Sequence, residues 1–287
     1  MRTLLLAVVS CLACSGTAIA SELDDTVAAL RAVEVAEADV ATVPPRLVAL
    51  EARFKRLLRD EAIRALPDVD PGQLDLAALK RSLDALARRY ARADSPEGSD
   101  AGFRFGAIYG DVLEVRAEHP RGRPDLLAIL ANVRVGCGQD TSLALLARRQ
   151  GRWVEVLDVD AGAIRTISDA YGTFDYSVSP VAADGSFVVA HAHVTPWCQS
   201  NWRELRHAVA RVPAHGAARL FRASHDSIFL GVASPVYTMQ ARPAGYSLRF
   251  TTDGPADDPA GTRACVVDVD VRGDQVRRRR RFAADTP

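Results

Sequence analysis

Apolar residues recur every three or four positions through residues 21–93. Leu23, Val27 and Leu30 form one stripe. Leu47, Leu50, Phe54, Leu57 and Leu58 form a second, and Leu76, Leu79, Leu83, Leu86 and Tyr90 a third. That spacing gathers each set on one side of an α-helix. Three amphipathic helices are therefore predicted, their stripes buried against each other or against a sheet. Ser21-Glu22-Leu23-Asp24 reads as a capping signal for the first. The second starts near Thr42, with Pro44 and Pro45 tolerable only in its first turn, and the third begins after Asp70-Pro71.

Residues 94–102 break the pattern. Asp94-Ser95-Pro96-Glu97-Gly98-Ser99-Asp100 has no apolar anchor and reads as a linker. Beyond it the period becomes two, as in Leu127, Ile129, Ala131, Val133 and Val135, where Asn132 and Arg134 mark a half-buried strand. Gln150-Gly151, Asp184-Gly185 and Ala244-Gly245 sit between strand-like runs and predict hairpins. The strands fall into three groups: 111–118, 125–135, 142–149 and 152–159; then 173–183, 186–195, 202–212 and 218–224; then 237–243, 246–252, 263–272 and 275–282. The stretch 228–232 is an extra strand or a connector. The predicted class is α+β, with N-terminal amphipathic helices and then a mostly antiparallel all-β domain over 103–287. Its meanders would form a sandwich, a barrel or a small propeller-like array.

The first twenty residues read as an address. Arg2 is followed by an apolar run from Leu4 to Ala13 and by the small-residue site Ala18-Ile19-Ala20. That is the pattern of a secretory signal peptide, and the run is too short to span a bilayer. The mature chain would begin near Ser21 in the periplasm or outside the cell. A lipid on Cys14 is the competing reading. The Cys11-Leu12-Ala13-Cys14 box has Cys where an aliphatic residue is expected, which weighs against it. Positive charge comes almost wholly from Arg, with Lys55 and Lys80 the exceptions, a bias expected of a GC-rich bacterial genome. Lys+Arg and Asp+Glu are both 36, so the formal net charge is zero, which argues against a globally basic nucleic-acid binder.

Removal of residues 1–20 leaves Cys137, Cys198 and Cys265. Cys137 and Cys198 occupy loops between the second and third strands of the first two groups, and equivalent loops of adjacent meanders project from one edge. A Cys137–Cys198 disulfide is predicted, closing a loop of about sixty residues and contributing roughly 3–4 kcal/mol in the chain-entropy model. Cys265 alternates in phase with Val267, Val269 and Val271 and reads as a buried thiol.

Five segments carry candidate chemistry. His191 and His193 share one strand face with Cα atoms about 7 Å apart, a spacing that can place two imidazoles on one zinc ion. A third ligand would have to come from His207, His225 or Asp175, none at diagnostic spacing. Satisfied strand histidines are the simpler reading. Trp197 and Trp202 flank Cys198, with Gln199, Ser200 and Asn201 between them; ring area beside amides suits a flat or sugar-like ligand, while packing over the disulfide is the simpler role. Asp140, in the Cys137 loop, is the remaining ligand candidate. In the Arg277–Arg281 run, a two-residue Gly273-Asp274 turn would place Asp270 opposite Arg277 and Asp268 opposite Arg279. The run then reads as a protected edge strand, not a nucleic-acid site. The same turn makes Arg272-Gly273-Asp274 turn chemistry, not an adhesion signal. The acidic loop Asp253–Asp258 matches no EF-hand and reads as solvated.

No P-loop, G-x-G-x-x-G, G-x-S-x-G or H-E-x-x-H occurs, and no C-x-x-C in the mature chain. The expectation is an exported, non-catalytic β-domain without a cofactor, binding an envelope component or small ligand through the Cys137 and Cys198 loops. The alternatives are a metal-dependent hydrolase using His191 and His193, with zinc, and a structural envelope protein.

Overall fold

The computed structural model describes residues 22–33, 42–92, 109–136, 138–196, 202–229, 237–253, 262–272 and 275–282. Among the described residues three α-helices lead: α1 (22–31), α2 (Pro45–Arg64) and α3 (Leu76–Tyr90). Their stripes are buried as expected, with Leu23, Leu47, Phe54, Leu58 and Leu83 fully enclosed. Two starts differ from expectation. Pro45, not Thr42, opens α2, because a residue that precedes proline is pushed out of the helical region: Pro44 is extended, at φ −53° and ψ 134°. Thr42 instead bridges to Thr166. Asp70-Pro71 leads only into a 3-10 turn, Pro71–Gln73. Helix α3 begins three residues later, at Leu76, where the Asp75 side chain accepts a hydrogen bond from the Ala78 amide (2.9 Å) as an N-cap.

Twelve strands follow among the described residues. The first meander is β1 (Val112–Glu118), β2 (Leu126–Val135), β3 (Gly138–Arg149) and β4 (Arg152–Val159). The second is β5 (Thr173–Val178), β6 (Phe187–Val194), β7 (Trp202–Val212) and β8 (Arg219–Phe229). The third is β9 (Tyr237–Arg242), β10 (Gly245–Asp253), β11 (Thr262–Arg272) and β12 (Gln275–Phe282). Neighbours in each group pair antiparallel in chain order, and a single Thr252↔Ile228 pair joins the second group to the third. The Gln150-Gly151 turn has both residues at positive φ, 50° and 77°, as a twisted two-residue hairpin requires. Strand β5 stops at Val178, short of the expected 183. There the Ser179 hydroxyl takes over, accepting from the Val188 amide (2.9 Å) while Pro180 has no amide to offer.

Alternation along the strands sets the stacking. Leu127, Ile129, Ala131, Val133 and Val135 of β2 pack with the helical stripes. Leu126, Ala128 and Leu130 point the other way, into a core shared with Phe187 and Val189 of β6. Strand β2 is thus covered on both sides over its first half, because the second sheet packs on the face expected to be wet; only Asn132 and Arg134 stay half-buried. Val188, Ala190, Ala192 and Val194 of β6 face Tyr246, Phe250, Val267 and Val269 of the last meander. The order of layers is helices, first sheet, second sheet, third sheet, with three apolar cores between them. The helices share a core with the first sheet, so the change of period near residue 100 separates two element types and not two cores. No helix among the described residues is long and apolar enough to cross a membrane.

Candidate functional site

The second sheet carries a polar interruption in its core. The odd positions of β6 run Phe187, Val189, His191, His193, all facing the first sheet. The first two join the apolar core, with the Arg123 guanidinium 4.4 Å over the Phe187 ring. The two histidines, both buried, meet rings instead. His193 stacks on Tyr171 at 4.0 Å between centroids and 29° between planes, and His191 lies against Phe174 at 5.7 Å. Antiparallel pairing with β7 adds Arg206 opposite His193 and Ala208 opposite His191, on the same face. Ala161, Ala163 and Asp169, from the connection after β4, close the other side. Three alanines where larger side chains would fill the space leave a cavity of about 300 Å³, lined by Tyr171, His191, His193, Arg206 and Asp169.

Each polar wall is oriented by its own contacts. Arg206 donates from Nε to Glu204 Oε2 (2.9 Å), and its Nη2 lies 2.8 Å from the same oxygen. Asp169 Oδ2 accepts from the Arg165 and Thr166 amides, both at 3.0 Å, which fixes the 3-10 turn Ile167–Asp169. Tyr171 is held from behind. Its amide donates to Asp140 Oδ1 (2.6 Å), and its carbonyl accepts from the Thr141 amide (2.8 Å). The result is a stacked Tyr171–His193 pair beside His191, with the Arg206 side chain in the same lining. It can take a planar group by stacking and an anionic group by charge-assisted hydrogen bonding.

The other expected residues go elsewhere. Asp140 is on β3, not in a ligand-facing loop, and is completely buried. Lys55 of α2 donates to its Oδ2 at 2.7 Å and to Asp160 Oδ1 at 2.7 Å. Burial pushes the Asp140 carboxyl upward while Lys55 and the Tyr171 amide oppose it. His207 pairs with Ala192, so it lies on the opposite face from His191 and His193, where Nδ1 shares a hydrogen bond with the Tyr246 hydroxyl. Asp175 also pairs with Ala192 and shares that opposite face; burial raises its carboxyl too. The sheet therefore separates both of these third-ligand candidates from the histidine pair. Among the described residues no group of three or more His, Cys, Asp or Glu is placed to hold a metal ion.

Cys137, Cys198, Trp197 and Asn201 lie outside the described residues, as does the side chain of Trp202; the His225 side chain does too. Their immediate neighbours are described. A Cβ on Gly138 would come within 2.4 Å of the Pro196 ring, and one on Gly172 within 3.0 Å of the Pro196 nitrogen. The flanks of both cysteine loops thus meet beside Tyr171. Cys265 is a buried free thiol, as expected from its phase, and accepts from Arg280 Nε at 3.2 Å.

Tyr171, Arg206, Lys55 and Glu51 were not legible as site residues. One signal was available for two of them: Glu51 and Lys55 sit inside the apolar stripe of α2, level with Phe54 and Leu58. Charges on a buried face need partners. Neither protein-family models nor curated proteins match the chain.

Proposed function

We propose that this is an exported binding protein whose cavity between the second sheet and the connection after β4 takes a small organic anion with a planar part. One observation carries the reading: Tyr171, His191, His193 and Arg206 converge on about 300 Å³ beside the apolar core between the first two sheets. That volume is at the small end for ligand pockets. Rings would cover the planar part and Arg206 would meet a carboxylate or phosphate. Export is supported by the signal-peptide pattern of residues 1–20. A Cys137–Cys198 disulfide is supported by the contact of Gly138 with Pro196 and would brace the cavity's rim. Balanced charge supports a small ligand or an envelope component over nucleic acid.

The test is a thermal-shift series with benzoate, succinate and inorganic phosphate. Ligand at about a hundred times Kd should stabilise by about 2.7 kcal/mol, a rise of several degrees. The rise should saturate, be larger for the aromatic carboxylate, and vanish in Arg206→Ala. No shift with any of them overturns the reading in favour of a structural envelope protein. The metal-dependent hydrolase alternative keeps His191 and His193 on one cavity wall. About one equivalent of transition metal in protein purified without an affinity tag would favour it over an anion site.

A further inference from the structure

A second polar cluster lies between α2 and the first sheet, behind the Tyr171 wall of the cavity. Lys55 Nζ sits 2.7 Å from Asp140 Oδ2, with the two side chains 1% and 0% exposed. Asp160 Oδ1 is also 2.7 Å from Nζ, on a side chain 19% exposed, and the Gly162 carbonyl accepts at 3.1 Å. Asp140 Oδ1 accepts from the Tyr171 amide at 2.6 Å. Glu51 stands one turn before Lys55 on the same helix and is wholly buried. Phe54, Leu58 and the apolar face of β2 enclose the group.

From this arrangement we infer that Lys55 and Asp140 condense into an intramolecular amide that fastens α2 to β3. An amine, a carboxyl, a second carboxylate touching the same nitrogen and a backbone donor on the far carboxyl oxygen are the parts this reaction needs. Lys55 passes one proton to Asp160. The freed lone pair attacks Cγ of Asp140, and negative charge gathers on Oδ1, where the Tyr171 amide already points. Oδ2 departs as water, carrying two of the three ammonium protons, one of them returned by Asp160. Carboxylate plus ammonium becomes amide plus water, with no other reactant. Both groups are held by the fold, so the encounter has no translational cost. The product also removes two charges from an apolar core, where the desolvation of an ion pair is expensive. Asp160 keeps the Gly162 amide and its partial access to solvent.

Mass spectrometry decides the matter on the full mature chain, denatured and reduced so that any disulfide is open. The wild type should be lighter than its sequence by one water. A digest should yield a branched peptide joining the segments around Lys55 and Asp140. Lys55→Arg, which keeps a cation but cannot form this amide, should have its full mass, and so should Asp160→Asn, which lacks the proton acceptor. A wild-type chain at full mass overturns the inference, and so does a branch at Asp160. Water loss persisting in Lys55→Arg does the same.

Discussion

Glu51 is the residue whose burial has the plainest cost. Loss of solvent pushes its carboxyl from 4.5 to about 8, against the pull of Lys55 while that side chain is still an ammonium and of the Gly110 backbone. The folded chain therefore keeps a proton that the unfolded chain releases above about pH 4.5. Stability falls as pH rises between that value and about 8, by up to about 1.4 kcal/mol per unit, and levels off beyond. Glu51→Gln, a neutral side chain of the same shape, should flatten this slope and be more stable than the wild type by at least about 2 kcal/mol at pH 8. Urea unfolding at pH 5 and pH 8 measures it, and an unchanged slope would mean the carboxyl is ionised in the fold. His191 and His193 were readable because two positions on a strand share a face by geometry alone. Asp140 was misread for the converse reason. A carboxylate beside glycines looks solvated until its partner appears, and Lys55 is 85 positions away in the chain.

Turns and registers were the most legible feature at the level of elements, because they depend on local backbone chemistry. The expected pairs Asp270↔Arg277 and Asp268↔Arg279 are both present in the β11–β12 ladder, and β12 is exposed along its whole length. Arg281 Nη2 reaches Asp268 Oδ2 diagonally at 3.1 Å. Such a charged edge discourages pairing with other chains. The β9–β10 turn depends on one glycine. Gly245 has φ 152°, and a Cβ there would fall 1.8 Å from the Val269 carbonyl oxygen. Gly245→Ala should lower stability by more than about 2 kcal/mol, whereas Gly72→Ala, with open space around it, should change it by less than about 0.5. Denaturant midpoints of the two variants compare them directly. Where the elements begin was harder to read, since Pro44 and Asp75 act through neighbours on one side only.

Across the whole molecule, the grouping into three meanders could be read from turn spacing, but their stacking could not. Stacking is decided by which face of each strand finds a matching face, and those partners lie far apart in sequence. The second sheet, packing on the face that carries Asn132 and Arg134, made the first half of β2 a doubly covered strand, although those polar positions looked like a wet side. The proposed Cys137–Cys198 bond also belongs to this scale, because it ties the first sheet to the second. Thiol titration of the chain from Ser21 onward, denatured without reductant, should detect Cys265 alone, with Cys137 and Cys198 appearing only after reduction. Reaction of all of them at once would remove the bond. In the folded protein Cys265 should be silent, since it is fully enclosed.

Strand β6 has every one of its residues buried, with a sheet above and another below. Its amide protons can therefore reach water only when a whole layer lifts away, and not by fraying from an end. Exchange with deuterium should be slowest there, and the cavity beside His191 and His193 inherits that rigidity from the backbone that carries it.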